Sequence, residues 1–171
     1  LIDATIVDAT NPILTTVFCG SSNTDSVTVV GAIGDPFMLI GIDPSQGQLD
    51  FARARPALRV AQFRQGDAMA QPFADDTFDA AVMPLVIFFV PDPAKGVAEM
   101  ARVVCPGGTV TAYAWDMVGG GFPYEALHVE MRGLGLSVPV PPSRGASRIE
   151  ALRDLWTDAG LGAVETREIT V

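Results

Sequence analysis

The fold of this chain is decided by the stretch Phe37-Met38-Leu39-Ile40-Gly41-Ile42-Asp43-Pro44-Ser45. Its first six residues are an unbroken apolar run, which is typical of a strand buried on both faces of a parallel sheet. Asp43 and Pro44 then form a turn. Ser45 can cap a helix predicted over residues 46–55, because its hydroxyl can accept from a free amide of the first turn. The stretch therefore predicts a strand that leads directly into a helix.

The same alternation continues along the chain. Further strands are predicted over residues 59–63, 78–83, 109–115 and 163–171, and further helices over residues 92–104, 124–134 and 148–158. Asp92 and Pro93 form a helix-start signal, and Pro106-Gly107-Gly108 is predicted to stop that helix. Strands separated by helices imply right-handed βαβ crossovers. We therefore predict an α/β fold: a Rossmann-like, doubly wound, mostly parallel sheet in a single domain over residues 1–171.

Composition narrows the class of partner. The 171 residues carry a net charge of -9, and all 11 Lys and Arg residues lie at Arg53 or later. This balance argues against binding to nucleic acid phosphates or to anionic membranes, both of which need clustered cations. A small-molecule substrate is therefore expected. The sequence does not predict an oligomeric state.

Compartment and metal content are predicted from the cysteines and the apolar runs. The two cysteines, Cys19 and Cys105, have no CxxC spacing, so neither a disulfide framework nor a metal site is expected. The most apolar run, Ala80–Val90, is shorter than the roughly 20 residues of a membrane span. No basic region precedes an apolar stretch at the N-terminus, so no signal peptide is recognised. We expect a cytoplasmic protein.

Candidate site residues follow the predicted strands, because ligands of such sheets bind beyond the carboxyl ends of the strands. Asp43 could accept from both hydroxyls of a ribose, or it could simply shape the turn. Gly66 could let the backbone approach a flat ring, and Asp67 could accept from an exocyclic amine; an ordinary polar turn is the alternative. The segment Met83-Pro84-Leu85 could form the floor of a pocket or belong to the core.

The order and spacing of these segments resemble the class I S-adenosylmethionine-dependent methyltransferases. The resemblance rests on Gly41-Ile42-Asp43-Pro44-Ser45, Gln65-Gly66-Asp67-Ala68, Pro72-Phe73-Ala74-Asp75-Asp76-Thr77-Phe78-Asp79, Val90-Pro91-Asp92-Pro93 and Glu99-Met100-Ala101-Arg102-Val103-Val104-Cys105-Pro106-Gly107-Gly108. The closing segment, residues 155–161, resembles the helix and turn before the family's sixth strand. Cys105 stands where a basic residue is usual. Together these motifs cover roughly residues 37–171.

The resemblance implies a cofactor, S-adenosylmethionine, and the residues that bind it. Asp43, with Pro44 beside it, would bind the ribose. The segment Gly66-Asp67-Ala68 would contact the adenine, and Met83 would border the methionine end. Such enzymes often need little acid–base machinery, because the sulfonium is already activated and positioning does much of the work.

The methyl acceptor is expected to bind to a segment after the fifth strand, residues 117–148, which we interpret as an acceptor-site insertion. Tyr113, Trp115 and Asp116 could line this site or could end a buried strand. His128 is the only histidine and is a candidate base, although a lone histidine on an amphipathic helix is more often structural.

Residues 1–36 depart from the family pattern. A glycine-rich loop should begin about twenty residues before Asp43, so that a helix fits between them. The best-placed candidate contains Cys19 and Gly20, but Phe18 and Ser22 replace flanking glycines and Thr16 stands at the acidic position. The family's seventh, antiparallel strand is also not found, so the sheet is expected to lack it.

These departures keep two other functions open. The first is a non-catalytic or degraded methyltransferase-like protein. The second is an NAD(P)-dependent oxidoreductase, which would need a G-x-G-x-x-G motif at the start of the first helix. No stretch of this sequence supplies that spacing.

Overall fold

A computed structural model describes residues 2–3, 14–17, 39–59 and 61–170. In these ranges the chain forms one seven-stranded sheet with the strand order β4-β3-β2-β5-β6-β1-β7. The strands are β1 (Ile2–Asp3), β2 (Leu14–Val17), β3 (Leu39–Asp43), β4 (Ala61–Gln65), β5 (Phe78–Pro84), β6 (Val104–Ala114) and β7 (Arg167–Glu168). The helices are α1 (Gln46–Arg53), α2 (Pro93–Val103), α3 (Glu125–Gly133) and α4 (Ile149–Asp158).

Five consecutive strands, from β4 at one edge to β6, are parallel, and the direction of winding reverses between β2 and β5. From β2 the chain proceeds through β3 to β4 at one edge, whereas from β5 it proceeds to β6 on the other side. Right-handed crossovers in opposite directions place α1 and α2 on opposite faces of the sheet. The predicted doubly wound α/β fold is confirmed, and its switch point lies between β2 and β5.

The predicted helix starts are also confirmed. The Ser45 hydroxyl accepts from the Gln48 amide at the start of α1. Asp92, the residue before Pro93, caps α2 in the same way, because its carboxylate accepts from the Lys95 amide. Helix α4 ends at Asp158, and Gly160, two residues later, has a φ of +79°, which glycine adopts at little cost. Helix α1 ends at Arg53, two residues earlier than predicted.

Two predicted strand starts were wrong. Pro56 begins a 3-10 turn that buries Leu58, so β4 starts at Ala61 rather than Arg59. Strand β6 follows α2 immediately and runs through the Pro-Gly-Gly segment instead of starting after it. There its register against β5 shifts between Phe78 and Ala80. A Cβ at Gly108 would lie 2.5 Å from the Asp79 carbonyl oxygen, so the bulge requires glycine.

The far edge of the sheet is antiparallel. Strand β1 pairs antiparallel with both β6 and β7, and so occupies the place between them. The alternating segment at residues 163–171 forms only the two-residue strand β7, so the longer strand predicted there was wrong. Among the described residues, the strand that runs antiparallel to β6 is therefore the N-terminal strand β1.

The main core lies between the sheet and helices α2 and α4. It joins apolar side chains of β5 and β6 to Val97 and Met100 of α2 and to Leu152 and Trp156 of α4. The Trp156 indole N–H donates to the Val110 carbonyl oxygen at 2.8 Å, which satisfies its polar atom inside the core. None of the helices in the described ranges is long and apolar enough to cross a membrane.

Candidate functional site

The carboxyl ends of β3 and β4 bring two predicted site residues together. Asp43 pairs with Gln65 in the parallel register, so both strands end at the same level. The Gly66 N–H, one residue further, donates to the Asp43 carbonyl oxygen at 3.2 Å. The side chain of Gln65 donates to the Pro44 carbonyl oxygen at 3.0 Å. The strand pairing and the Gln65 side chain thus make Asp43, Pro44 and Gly66 neighbours.

Asp43 is a buried carboxylate at the end of its strand. The residue is 1% exposed, and its Oδ1 atom accepts from the Ser45 amide at 2.7 Å. This bond holds the carboxylate against the start of α1, where the helix dipole also favours a negative charge. Pro44 beside it is exposed. Asp43 therefore shapes the turn before α1. The same bond fixes its carboxylate at the carboxyl end of β3, where ligands bind in such sheets.

Gly66, Asp67 and Ala68 open the β4–β5 loop, which spans residues 66–77. A Cβ at Gly66 would lie 3.2 Å from Cδ of Pro72 and 3.4 Å from Cβ of Ile42, so this position is tight for any side chain. Asp67 is exposed, and its Oδ1 accepts from the Met69 amide at 2.8 Å. Ala68 is buried against the main core. At the start of this loop an exposed carboxylate, Asp67, thus lies between a tightly packed glycine and a buried alanine.

The end of β5 combines core packing with backbone strain. The Met83 side chain is fully buried and its Cε atom lies 3.8 Å from the Cβ position of Gly96 in α2, so it packs in the core. Two residues later, Leu85 has a φ of +55° and donates its N–H to the Tyr113 carbonyl oxygen at 2.7 Å. A leucine in this conformation is strained, and such strain concentrates at functional sites. The strain at Leu85 was not predicted from the sequence.

Helix α2 holds the β4–β5 loop through an ion pair. Arg102 donates to both carboxylate oxygens of Glu99, at 2.7 and 2.8 Å, and to Oδ1 of Asp75 at 2.7 Å. It also donates to the carbonyl oxygens of Phe73 and Gln71, at 2.9 and 3.2 Å. Glu99 in turn accepts from the Gln71 amide at 2.8 Å. We call this set of bonds the α2 clamp.

The clamp shifts the titration of both charged partners. The hydrogen bonds from the Arg102 guanidinium and, to a lesser extent, from the Gln71 amide lower the pKa of the Glu99 carboxyl below its usual 4.5, against the opposing effect of burial. The Glu99 and Asp75 carboxylates raise the pKa of Arg102 still further. Both groups are therefore charged near neutral pH.

The segment 117–148 is anchored beyond the ends of β5 and β6. The Met117 amide donates to the buried Ser147 hydroxyl at 3.0 Å, and Arg144 donates to the Met117 carbonyl oxygen at 2.8 Å. The Ser143 amide donates to the Phe88 carbonyl oxygen at 3.0 Å, next to the end of β5. These serines were not singled out in the sequence, because serine is common in ordinary loops.

Asp116 shapes the first turn of this segment. Its Oδ1 atom accepts from the amides of Val118 and Gly119, at 3.0 and 2.6 Å. A Cβ at Gly119 would overlap the Asp116 carboxylate, so a larger residue here would displace that carboxylate from its bonds in the turn. Tyr113 and Trp115 are half-buried at the end of β6. Asp116 thus has a structural partner in the turn.

His128 lies on α3, a helix that buries none of its side chains. The histidine ring is 5.2 Å from the Phe122 ring, and its Nδ1 atom is 3.9 Å from Oε2 of Glu125. That distance is too long for a hydrogen bond. Within and next to α3, Tyr124, Leu127 and Leu134 are each more than half exposed to solvent.

The predicted glycine loop, with Cys19 and Gly20, lies outside the described residues. Strand β2 directly precedes it and ends at Val17, which pairs with Ile42 one residue before Asp43. The end of β2 is therefore at the same edge as Asp43.

A groove of about 600 Å³ lies at the amino ends of β5 and β6, the opposite end of the strands from Asp43 and Gly66. It is lined by the Pro-Gly-Gly segment of β6, by Trp156 and by the connection after α4. The groove is separated from Asp43 and Gly66 by the length of the strands, so it does not belong to the candidate site.

Comparison with known proteins identifies the family of this chain. The sequence pattern of the methyltransferase domain family matches residues 19–112, which is more than half of the 171-residue chain. The chain belongs to the methyltransferase domain family. The match spans β3, β4, β5 and most of β6, and so includes the ends of β3, β4 and β5.

Curated relatives of this methyltransferase-family chain include the demethylmenaquinone methyltransferase of Desulfitobacterium hafniense, which is 37% identical over 100 residues. That alignment covers 56% of this chain and 39% of the relative. The demethylmenaquinone methyltransferase of Bacillus cereus (strain B4264) is 35% identical over 97 residues, covering 55% of this chain and 40% of the relative. The aligned part of the chain thus spans about two fifths of the length of these relatives.

Solved structures share the fold. A methyltransferase of Thermotoga maritima, described as S-adenosylmethionine-dependent and as a possible histamine N-methyltransferase, superposes with a TM-score of 0.60 at 23% identity, covering 88% of this chain and 64% of the other. A putative methyltransferase of Bacillus halodurans gives a TM-score of 0.60 at 20% identity, covering 88% and 62%. The chain therefore has the α/β fold of class I methyltransferases.

Proposed function

We propose that this chain binds S-adenosylmethionine at the carboxyl ends of β3 and β4 and transfers its methyl group to a small-molecule acceptor. The observation that carries the proposal is the buried Asp43 carboxylate, hydrogen-bonded to Ser45, next to Gly66 at the adjoining strand end. In this proposal residues 1–171 form one methyltransferase domain. Cys19 and Gly20 would belong to the loop that faces the methionine end.

The residue types at this edge fit the nucleoside half of the cofactor. A carboxylate can accept from both hydroxyls of a ribose, and Asp43 is held in place by the Ser45 amide. The exposed Asp67 can accept from the exocyclic amine of adenine. Gly66 keeps the backbone close to Pro72 and Ile42, a spacing that a larger residue would disturb. The exposed Pro44 would add apolar surface beside Asp43, and the buried Ala68 would support the loop from the core.

The bound cofactor supplies the chemistry, because its methyl group is carried by a positively charged sulfonium and is already activated for transfer. What the protein has to contribute is position. Asp43 and Asp67 would fix the nucleoside, and the end of β5, at Met83 and the strained Leu85, would border the methionine end. The buried Met83 side chain would support this border from the core rather than contact the ligand directly.

The acceptor would bind against residues 117–148, which Ser143, Arg144 and Ser147 tie to the ends of β5 and β6. The names of the curated relatives favour a small acceptor over a macromolecule. Within this segment His128 is the candidate base. Its Nδ1 atom lies 3.9 Å from Oε2 of Glu125, beyond hydrogen-bonding distance.

Calorimetric titration with S-adenosylmethionine tests the proposal, with NAD⁺ titrated in parallel. The purified chain should bind S-adenosylmethionine saturably and should not bind NAD⁺. The variant Asp43→Asn should bind about 10- to 100-fold more weakly, since a hydrogen bond to a charged group contributes about 1.5–3 kcal/mol. Asp50→Asn, which alters an exposed aspartate of α1, is the matched control and should bind normally. Failure of the unaltered chain to bind S-adenosylmethionine would refute the proposal.

A further inference from the structure

We infer that Glu99 and Arg102 of α2 are positioning residues for the cofactor: through the α2 clamp they hold the β4–β5 loop in the conformation that presents Asp67 and Ala68 to the adenine. The inference rests on the proposed function. It concerns two residues that do not touch the proposed ligand and that act through the loop.

The β4–β5 loop has little regular structure of its own. Between β4 and β5 it contains only an isolated bridge between Asp67 and Ala70. Its first residue is tied to β3 by the Gly66 amide on Asp43, and the turn that follows is held locally by the Asp67 carboxylate on the Met69 amide. Local bonds of this kind fix a turn but do not fix the direction in which the turn faces.

The direction is set by α2, which supplies bonds from a distant part of the chain. Arg102 reaches Gln71, Phe73 and Asp75, which are 31, 29 and 27 residues away in sequence. Glu99 binds the Gln71 amide, so both backbone polar groups of Gln71 are held by the clamp. Gln71 is only three residues after Ala68. Motion of the clamp would therefore move the adenine-facing part of the loop directly.

The planar fork of Arg102 makes these contacts possible together. Its Nε and Nη2 atoms donate to the two oxygens of Glu99, while Nη1 donates to Phe73 and Asp75. A lysine at this position has one ammonium group and cannot reach the same set of acceptors in fixed geometry. The clamp should therefore tolerate Arg102→Lys only in part.

The test compares Arg102→Met, Arg102→Lys and a matched control, Arg153→Met. Arg153 lies on α4 and donates to the Thr166 hydroxyl at 2.6 Å, so its loss removes a tether of a different loop. S-adenosylhomocysteine binding is measured by calorimetry at a temperature where all variants are folded, as judged by circular dichroism. Hydrogen exchange at the Met69 and Ala70 amides reports the order of the loop without ligand.

We expect Arg102→Met to weaken S-adenosylhomocysteine binding about tenfold and to speed exchange at Met69 and Ala70. Arg102→Lys should be intermediate, and Arg153→Met should match the unaltered chain in both measurements. If Arg102→Met binds the ligand as tightly as Arg153→Met does, the clamp has only a structural role and the inference is wrong. If the unaltered chain does not bind, the proposed function fails, and the inference fails with it.

Discussion

Replacement of Gln71 by Met should stabilise the protein. Gln71 is 5% exposed, and its side-chain Nε2 and Oε1 atoms have no hydrogen-bond partner within the described part of the chain. Its backbone amide and carbonyl oxygen are both bound by the α2 clamp, so the backbone has no freedom to carry the side-chain amide out to water. Burial of the Gln71 side-chain amide therefore lowers the free energy of unfolding, because no hydrogen bond in the described residues replaces the bonds it would make to water.

The size of the effect follows from the chemistry of the group. A buried polar group without a partner costs about 1–3 kcal/mol. Met has the same unbranched length as Gln and adapts well to irregular space, so its packing should cost little. For a chain of this size each kcal/mol corresponds to about 2–4 °C in melting temperature. Gln71→Met should thus raise the melting temperature by several degrees.

Thermal and urea unfolding of the ligand-free chain measure this change. Gln46→Leu is the control: Gln46 is exposed on α1 and donates to Asp50. Its replacement should alter the free energy of unfolding by no more than about 0.5 kcal/mol. A loss of stability in Gln71→Met of about 1 kcal/mol or more would refute the reasoning. It would mean that the amide has a hydrogen-bond partner in solution, such as a buried water.

Two further predictions concern stability. Gly119→Ala should destabilise the protein by about 1–3 kcal/mol in urea unfolding, because its Cβ would overlap the Asp116 carboxylate, whereas Gly145→Ala, with no atom within 4 Å of its Cβ, should cost less than about 0.5 kcal/mol. The Glu99 pKa is lowered in the folded state, so its contribution to stability should be complete above the ordinary pKa of 4.5 and lost as pH falls through the folded value. The stability difference between the unaltered chain and Glu99→Gln should accordingly shrink on acidification, and a difference that grows instead would contradict the assignment.

The helix starts and strand positions could largely be predicted from the sequence, because each depends on residues close together in the chain. Ser45 and Asp92 cap their helices through amides three residues away. The apolar run ending at Ile42, followed directly by the Asp43-Pro44 turn, is typical of a buried strand. The order of these signals, with the motifs between them, is enough to indicate the methyltransferase family from the sequence.

Errors in the prediction arose where a neighbouring strand decides the conformation. Pro106-Gly107-Gly108 is read locally as a helix stop, yet it lies inside β6 because Gly108 must pass close to the Asp79 carbonyl oxygen of β5. In the same way, β7 is short because its only partner in the described residues is the two-residue strand β1.

The candidate site shows the same division. The sequence by itself determined that Asp43 ends one strand and that Gly66 directly follows the next, since a turn signal comes after each strand. Only the tertiary structure decided that the Gly66 amide donates to Asp43, and that Glu99 and Arg102 hold the β4–β5 loop beside them. The physical reason is that caps and turns are satisfied by atoms a few residues away. Strand register and the α2 clamp join atoms some 20 to 30 residues apart, and such atoms meet only when the whole sheet has formed.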